Sequence, residues 1–275
     1  MARRPILTLT SDFGNEGPYV ASMKGVVLSL APETQFVDVS HSVAPQNILE
    51  GAFVLAEVID VFPPGTVHLA VVDPGVGTDR RLVAVSIEGQ WFVLPDNGLI
   101  SGVLRKHRPG GSWEITDPKV RRAKVSSTFH GRDVLAPAAA YLLRGGDPSG
   151  LGPPCDKLVR LKNFEPARDD HGFVGEVIFQ DTFGNLITNV PIDLLADTPA
   201  TAWTVALAGE HIEGLDRTYG DRPTGSLIAL PGSNGWIEIA VVNGDAARQL
   251  SAGPGTTVWV RGPLGSRETS VYDRP

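Results

Sequence analysis

The sequence predicts an α/β protein: an N-terminal domain with a mostly parallel sheet and helices on both faces, and a smaller all-β C-terminal domain. In the first half of the chain, short apolar runs alternate with stretches in which apolar residues recur at helical spacing, a pattern typical of βαβ units. In the second half only the short runs remain, separated by Gly, Pro and Asn. Residues 145–170 fit neither pattern, so we predict domains at residues 1–165 and 166–275.

The N-terminal domain is expected to contain five strands and four helices. Apolar runs predict the strands at residues 6–10, 35–39, 66–72, 82–87 and 91–94. Helical spacing predicts the helices at residues 20–30, 46–62, 98–106 and 133–144. Prolines limit these helices: Pro32 and Pro63 follow the first two, and Pro137 is expected to interrupt the last.

The C-terminal domain is expected to be barrel-like. Its strands are predicted at residues 173–179, 186–190, 203–208, 226–230, 236–242 and 256–260. Short strands at this spacing, separated by turn residues, are typical of a small closed or two-layered sheet.

The composition argues against several classes of function. Hydrophobic residues make up 42% of the 275 residues and charged residues 20%, which is typical of a folded globular protein. The net charge of −7 argues against a nucleic-acid or anionic-membrane surface as the main function. Cys155 is the single cysteine, so we predict no disulfide framework and no thiolate zinc site. The N-terminal apolar run is too short for a secretion signal, and we expect a cytoplasmic protein.

Two aspartates follow predicted strands of the N-terminal domain. Asp12 follows the first strand in TSDFG, and Asp73 follows the third in VVDPGVGTDRR. Either could simply cap a turn or a helix. Two such residues at the carboxyl ends of parallel strands, where ligands of open sheets bind, favour a functional site.

The residues after Asp73 suit no standard phosphate or metal motif. The loop at residues 73–78 is rich in glycine but has neither the lysine of a P-loop nor a dinucleotide fingerprint. Arg80 and Arg81 follow it and could be an ordinary solvated pair. His130, in SSTFHGRD, belongs to no HExxH or HxH pattern, so we predict no metal site.

Polar residues also surround two turns of the C-terminal domain. Asp181 and Asn185 lie in DTFGNLITN, and Ser233 and Glu238 lie in PGSNGWIEIA. An amide such as that of Asn185 can recognise an adenine edge, although an Asx turn is the simpler interpretation. No GxSxG hydrolase motif is present.

Taken together and in order, six motifs resemble one family, the S-adenosyl-L-methionine (SAM) hydroxide adenosyltransferases, to which the SAM-dependent chlorinase and fluorinase are related. The resemblance extends over residues 6–242 through TSDFG, VVDPGVGTDRR, LPDNGL, TFHGRDV, DTFGNLITN and GSNGWIEIAV. It implies that water or hydroxide displaces L-methionine from C5′ of SAM and leaves adenosine. It also implies an α/β and a β domain, no metal or cofactor, and a homotrimer with SAM at subunit interfaces.

The resemblance assigns catalysis to Asp73, Arg80 and His130. Water is a weak nucleophile, so it must be held in line with the breaking bond and must lose a proton. Arginine stays protonated and is a poor base, which leaves His130 or Asp73 as the proton acceptor. The sequence does not decide between them. We expect the Asp73 carboxylate to raise the pKa of His130.

The resemblance also implies roles in substrate binding. Asp12 is expected to bind the ribose hydroxyls and Asn185 the adenine. Tyr219 could stack on the adenine, although an aromatic residue of a β domain is more often part of the core. The methionine amine and carboxylate are assigned to Asp181, Ser233 and Glu238.

Two alternatives remain open. The first is a SAM halogenase, which would form 5′-halo-5′-deoxyadenosine. In the fluorinase the position of Asp73 is a tyrosine and that of Gln46 a tryptophan, and an anionic Asp73 would repel halide, so hydroxide transfer is favoured. The second is a protein that binds SAM or adenosine without turnover.

Overall fold

The computed structural model describes residues 4–262, which divide into two compact units between Leu161 and Lys162. We call residues 4–161 the N-terminal unit and residues 162–262 the C-terminal unit. Each unit has a sheet and a hydrophobic core of its own. Among the described residues, no helix is both long enough and apolar enough to cross a lipid bilayer.

The N-terminal unit contains one mixed sheet. Within residues 4–161 its order is β2-β1-β3-β5-β4-β6. Strand β1 is parallel to β2 and β3, and β3 is parallel to β5, but β4 is antiparallel to both of its neighbours. The strands are β1 (Ile6–Ser11), β2 (Gln35–Ser40), β3 (Val67–Val71), β4 (Leu82–Ile87), β5 (Gln90–Pro95) and β6 (Gly111–Glu114).

The direction of β4 departs from the mostly parallel sheet that the sequence predicts. Only Glu88 and Gly89 connect β4 to β5, and both have positive φ, 49° and 72°. A two-residue turn of this kind joins antiparallel strands, because a parallel pair needs a long crossover. The two strands were predicted correctly, but the hairpin between them was not.

Helices cover both faces of this sheet. They are α1 (Tyr19–Leu30), α2 (Ile48–Ala56), α3 (Val103–Lys106) and α4 (Ala136–Leu143). Met23 of α1 and Ala139 of α4 share one buried cluster with Leu9 of β1. On the opposite face, the Gln90 side chain donates to the carbonyl oxygen of Ile59, just beyond α2, at 2.7 Å.

Two of these helices are shorter than predicted. Helix α2 ends at Ala56, and the following residues form turns before Pro63 and Pro64. Gly98 has a φ of 102°, which excludes it from a right-handed helix, and residues 99–102 after it form turns instead of helix. Only the four residues of α3 remain helical in that stretch.

Proline reshapes the last predicted helix. Gly131–Leu135 forms a π-helical turn, and α4 begins directly after it with Pro137 at its start. Pro137 has no N–H to donate to the carbonyl oxygen of Asp133, four residues earlier. That oxygen instead accepts the backbone N–H of Arg122 at 2.9 Å. The helix is therefore modified at its start and not broken in its middle.

The C-terminal unit is a largely antiparallel, nearly barrel-like sheet. Within residues 162–262 its order is β11-β10-β14-β8-β9-β13-β12, and β7 pairs with β8. The long strand β8 pairs with β14 through its first half and with β9 through its second half. The elements are β7 (Ala167–Asp169), β8 (Gly172–Gln180), β9 (Leu186–Pro191), β10 (Thr204–Leu207), β11 (Glu210–Glu213), β12 (Leu227–Pro231), β13 (Trp236–Val241), α5 (Ala246–Leu250) and β14 (Thr257–Arg261).

Cys155 is buried in the N-terminal unit. Its backbone N–H donates to the carbonyl oxygen of Ser112 in β6 at 2.9 Å, and the Ser112 hydroxyl donates to the Cys155 carbonyl oxygen. The thiol therefore lies on a segment fastened to the edge of the sheet.

Candidate active site

A cavity of about 310 Å³ lies in the N-terminal unit beyond the carboxyl ends of β1 and β3. Four segments of chain contribute to it: the turn after β1, the loop before α2, the loop after β3, and the residues before the π-helical turn. Asp12, Gln46, Asp73 and His130 each line it. This is where ligands of open α/β sheets bind, because loops and helix starts converge there.

Asp73, Arg80 and His130 form one connected group. Nε of Arg80 donates to Oδ1 of Asp73 at 2.6 Å, and Nη2 donates to Oδ2, so the pair is bidentate. Both side chains of this ion pair are more than nine-tenths buried. On its other side, the guanidinium approaches Nδ1 of His130, with Nη1 and Nη2 each 3.2 Å away.

These contacts define the form of the His130 ring. Arginine has only hydrogen-bond donors, so Nδ1 must be the acceptor and the ring proton must lie on Nε2. The ring is therefore neutral and can donate only through Nε2–H. The two nitrogens of His130 consequently have different chemical roles.

The pKa of His130 is lowered, in the opposite direction to the sequence expectation. Partial burial is the largest cause, because it penalises the imidazolium, and the positive charges of Arg80 and Arg121 add to it. The Asp73 carboxylate does raise the pKa, as expected, but its effect is smaller than that of burial and of Arg80. The expectation was wrong in its net direction because burial of the ring and the positive charge of Arg80 together outweigh the Asp73 carboxylate.

Gly77 allows the loop after β3 to lie against the segment that carries His130. Its φ is 82°, and a Cβ at this position would lie 2.6 Å from the carbonyl oxygen of Ser127. Glycine tolerates both the left-handed backbone and the close approach. This loop could not approach the Ser127–His130 segment as closely with any larger residue at position 77.

Arg81 points away from this group. It pairs with Asp96 and donates to the carbonyl oxygen of Lys157, while Asp96 also accepts the backbone N–H of Val159 at 2.8 Å. The two consecutive arginines thus have different partners. Arg80 contributes to the cavity group, and Arg81 fastens residues 157–159.

Asp12 is held by the loop before α2. The backbone N–H of Gln46 donates to Oδ2 of Asp12 at 2.9 Å. Gln46 has a φ of 66°, which is uncommon for a residue other than glycine and indicates local strain. Glu50 restrains the same loop by accepting the N–H of Ala44 at 3.2 Å and Nδ2 of Asn47 at 3.1 Å.

The sequence analysis did not select the aromatic residues at this cavity. Phe13, Tyr19 and Phe129 pack as a trio with ring centroids 5.3 to 5.9 Å apart, and Phe13 and Phe129 line the cavity. Their sequence positions offered a signal, since Phe13 follows Asp12 and Phe129 precedes His130. The trio gives the cavity an apolar surface beside its charged group.

The C-terminal unit brings four of its five predicted residues, Asp181, Asn185, Tyr219 and Glu238, into a second polar cluster. Oδ1 of Asp181 accepts the N–H groups of Phe183 and Asn185 at 2.9 and 2.8 Å, and Oδ2 accepts Nδ2 of Asn185 at 2.9 Å. The Asx turn is therefore present, and it is made by Asp181. Asn185 is buried and one of its amide hydrogens already has a partner.

Tyr219 and Glu238 form the other part of this cluster. The Tyr219 hydroxyl donates to Oε1 of Glu238. Burial raises the pKa of Glu238, the Tyr219 hydrogen bond lowers it, and the Asp181 charge raises it. Tyr219 is 44% exposed, so it is not the core residue that the alternative interpretation required. Ser233 is exposed on the turn between β12 and β13.

The chain matches both halves of one family. The SAM hydroxide adenosyltransferase N-terminal domain matches residues 7–152, and the corresponding C-terminal domain matches residues 175–259. With the cavity at the strand ends and the Asp73, Arg80 and His130 group in place, the chain belongs to the SAM hydroxide adenosyltransferase family.

Named relatives cover almost the whole chain. The (R)-S-adenosyl-L-methionine hydrolase of Thermus thermophilus is 41% identical over 265 residues, which cover 93% of this chain and 98% of the relative. A fluorinase of Nocardia brasiliensis is more distant, at 30% identity over 86% of this chain and 90% of the relative. A crystal structure of an uncharacterized conserved protein from Thermotoga maritima superposes with a TM-score of 0.84 at 35% identity, covering 93% of this chain and 99% of that one.

Proposed function

We propose that this chain is a SAM hydrolase, an enzyme that converts SAM and water into adenosine and L-methionine. The observation that carries the proposal is the buried ion pair of Asp73 and Arg80 with His130 beside it, in a chain whose hydrolase relatives are 34–41% identical over most of its length. Those relatives are named for the (R) form of SAM, and we propose the same form as the preferred substrate.

The reaction needs a positioned nucleophile more than an activated leaving group. The oxygen of water forms a bond to C5′ while the C5′–S bond breaks, and the bonding electron pair goes to sulfur. The sulfonium becomes a neutral thioether, so methionine departs without a proton or a metal, and the proposal requires no cofactor. One proton of the water must be accepted and passed to solvent.

The geometry favours Asp73 as the proton acceptor over His130. The Nδ1 lone pair of His130 faces Arg80, and Nε2 carries a hydrogen, so the neutral ring has no lone pair available for water. Each Asp73 oxygen accepts one hydrogen bond from Arg80 and keeps a second lone pair. His130 then orients the water or the substrate as a donor, and Arg80 holds both side chains in place.

Substrate binding is proposed for both polar clusters. In the N-terminal unit, Asp12 accepts from the ribose hydroxyls, with Gln46 fixing its carboxylate. In the C-terminal unit, Asn185 recognises the adenine and Tyr219 stacks on it. The methionine amine and carboxylate are bound by Asp181, Ser233 and Glu238.

Assembly as a homotrimer, with SAM between subunits, belongs to the same proposal and rests on the family resemblance. Co-expression of Asp73→Asn and Asn185→Ala chains tests it. If each site takes residues from two subunits, mixed assemblies regain some active sites that neither variant forms alone. Light scattering gives the subunit number independently.

The function is tested by incubating the protein with each epimer of SAM in water enriched in oxygen-18, with and without chloride and fluoride. Adenosine labelled at the 5′ oxygen, formed equally with or without halide, is the expected result. A halogenated nucleoside would support the halogenase. Tight calorimetric binding without any product would indicate a binding protein.

A matched pair of variants connects the activity to the site. Asp73→Asn should lower kcat by roughly 10²-fold or more, because it removes both the proton acceptor and the negative charge that pairs with Arg80. Asp79→Asn makes the same chemical change at an exposed position of the same loop and should leave kcat unchanged. Equal kcat values for the two variants would exclude the proposed role of Asp73.

A further inference from the structure

Besides the Asp73, Arg80 and His130 group, the N-terminal unit contains a network of hydrogen-bonded polar side chains next to the turn that carries Asp12. Lys24 Nζ in α1 donates to Oδ2 of Asp38 at 2.6 Å, and Nε2 of His41 lies 3.1 Å from Oδ1 of the same carboxylate. On the other side of the ring, Nδ1 of His41 lies 2.8 Å from Oγ of Ser11, the last residue of β1. Side chains from α1, β2 and β1 are thereby connected through one imidazole.

Lys24 and Asp38, the charged end of this network, determine which groups in it donate and which accept. Burial raises the pKa of Asp38, but the hydrogen bonds and charges of Lys24 and His41 together outweigh it and lower the pKa, so Asp38 is an ionised acceptor. Nε2 of His41 must then carry the hydrogen, and in the neutral ring Nδ1 accepts from the Ser11 hydroxyl. The lone pairs of Ser11 Oγ remain available to the backbone N–H of Phe13, 3.4 Å away.

His41 also holds the far end of the same turn. Its backbone carbonyl oxygen accepts the N–H of Gly14 at 2.8 Å. The turn is therefore bound to residue 41 on both sides of Asp12 and Phe13, through a side chain before them and a carbonyl after them. Both of these residues line the cavity.

The order Ser-His-Asp does not make this group a nucleophilic triad. Ser11 has no exposed surface and His41 is 5% exposed, whereas the Asp38 side chain is 45% exposed. A nucleophile must reach its substrate, and here the buried end of the group is the serine. Its free end faces a backbone amide, which indicates support of the turn.

We propose that His41 is a positioning residue, which acts through Ser11 to fix Asp12 and Phe13 for the ribose of SAM. This inference rests on the proposed function for its substrate. Histidine suits the position because its rigid ring has an acceptor and a donor on opposite sides. A residue with only one polar atom could satisfy Ser11 or Asp38 but not both.

The variant His41→Gln tests the proposal, and His107→Gln is its control. His107 also lies near a carboxylate in the same unit, with Nε2 3.2 Å from Oδ1 of Asp60, and neither His107 nor Asp60 lines the cavity. The glutamine amide can take the place of Nε2 beside Asp38 but leaves the Ser11 hydroxyl without its acceptor. We therefore expect His41→Gln to raise the KM for SAM by about tenfold with kcat changed by less than about threefold, since binding of the ribose is weakened and the reacting group is intact. His107→Gln should change neither constant.

Amide hydrogen exchange supplies a readout without turnover. Exchange at Phe13 should be faster in His41→Gln than in the wild type, and His41→Asn, whose amide oxygen can take the place of Nδ1, should restore part of the protection. If the wild type forms no adenosine, the proposed function is overturned. The role of His41 would still be tested, because hydrogen exchange measures how firmly the turn is held without any turnover. Exchange or KM values in His41→Gln that match those of His107→Gln would overturn the role of His41.

Discussion

Two nitrogens of Arg80 lie 3.2 Å from Nδ1 of His130, so a permanent cation faces the ring atom that would otherwise accept a proton. Partial burial is the main reason why the pKa of His130 falls although a carboxylate is close, and this contact adds to it. Together with partial burial, Arg80 outweighs Asp73. The ring is neutral at physiological pH and donates through Nε2.

The first prediction concerns the positive charge of Arg80. Arg80→Gln should raise the pKa of His130, because it removes a cation that disfavours the imidazolium, so that the attraction of Asp73 is opposed less strongly. NMR titration of the ring hydrogens measures the change. Arg121→Gln serves as the graded control, since Arg121 lowers the same pKa less strongly. A pKa that stays constant or falls in Arg80→Gln would contradict this account.

The second prediction concerns Gly77. Gly77→Ala should cost more than the roughly 1–2 kcal/mol of a left-handed alanine, because its Cβ would also meet the Ser127 carbonyl oxygen. Gly65→Ala is the control: its φ is 86°, close to the 82° of Gly77, and no atom lies within 4 Å of its Cβ position. Denaturant unfolding should show the larger loss for Gly77→Ala, together with a lower kcat. Equal losses would mean that the contact with Ser127 can relax.

The third prediction concerns acid stability. His68 is buried between Thr8 and Gln90, with Nδ1 2.8 Å from the Thr8 hydroxyl and Nε2 2.7 Å from Oε1 of Gln90. Burial lowers its pKa to about 4, although the Gln90 hydrogen bond partly opposes this. Below pH 6.5 the unfolded chain takes up a proton that the native ring does not, so stability is lost as pH falls towards 4.

The fall in the pKa of His68 from 6.5 to about 4 corresponds to about 3 kcal/mol of stability that is present at neutral pH and lost in acid. The free energy of unfolding of His68→Gln should therefore depend less on pH between 4 and 6.5 than that of the wild type. His211→Gln, at an exposed position, should keep the wild-type slope. Parallel curves for His68→Gln and the wild type would show that the buried ring is not responsible.

The fourth prediction concerns Tyr219→Phe. The Tyr219 hydroxyl lowers the pKa of Glu238 by donating to it, so the variant should have a Glu238 carboxyl that protonates more readily. If Glu238 binds the methionine amine, the KM for SAM should rise several-fold, and most strongly at mildly acidic pH. Tyr141→Phe removes a hydroxyl that donates to the Asp147 carbonyl oxygen at 3.0 Å in the N-terminal unit, and its KM should stay constant.

The sequence predicted most strands because their apolar periodicity is local. Short exposed strands such as β7 and β11 have no apolar run and were missed. The reversed direction of β4 depended on the backbone angles of Glu88 and Gly89, which no apolar pattern records. Local period alone therefore locates strands better than it predicts how they pair.

In the candidate site, too, features of the local sequence could be predicted, whereas features that depend on tertiary packing could not. Asp12 and Asp73 could be selected because each follows a strand that ends at the same edge of the sheet. The lowered pKa of His130 could not be predicted, because burial and the position of Arg80 arise only from packing between distant segments. The support from His41 depends on the pairing of β1 and β2, which brings Ser11 close to a residue thirty positions later.

The burial of Cys155 has a practical consequence for labelling. The chain has one cysteine, which is buried on a segment bonded to the edge strand of the N-terminal sheet, so its thiol should react slowly with maleimides. A cysteine placed at Val61, which is 73% exposed, would be the first to react. A single fluorophore could then be attached without removing the natural cysteine, and mixing labelled with unlabelled protein would test whether subunits exchange, as the proposed homotrimer allows.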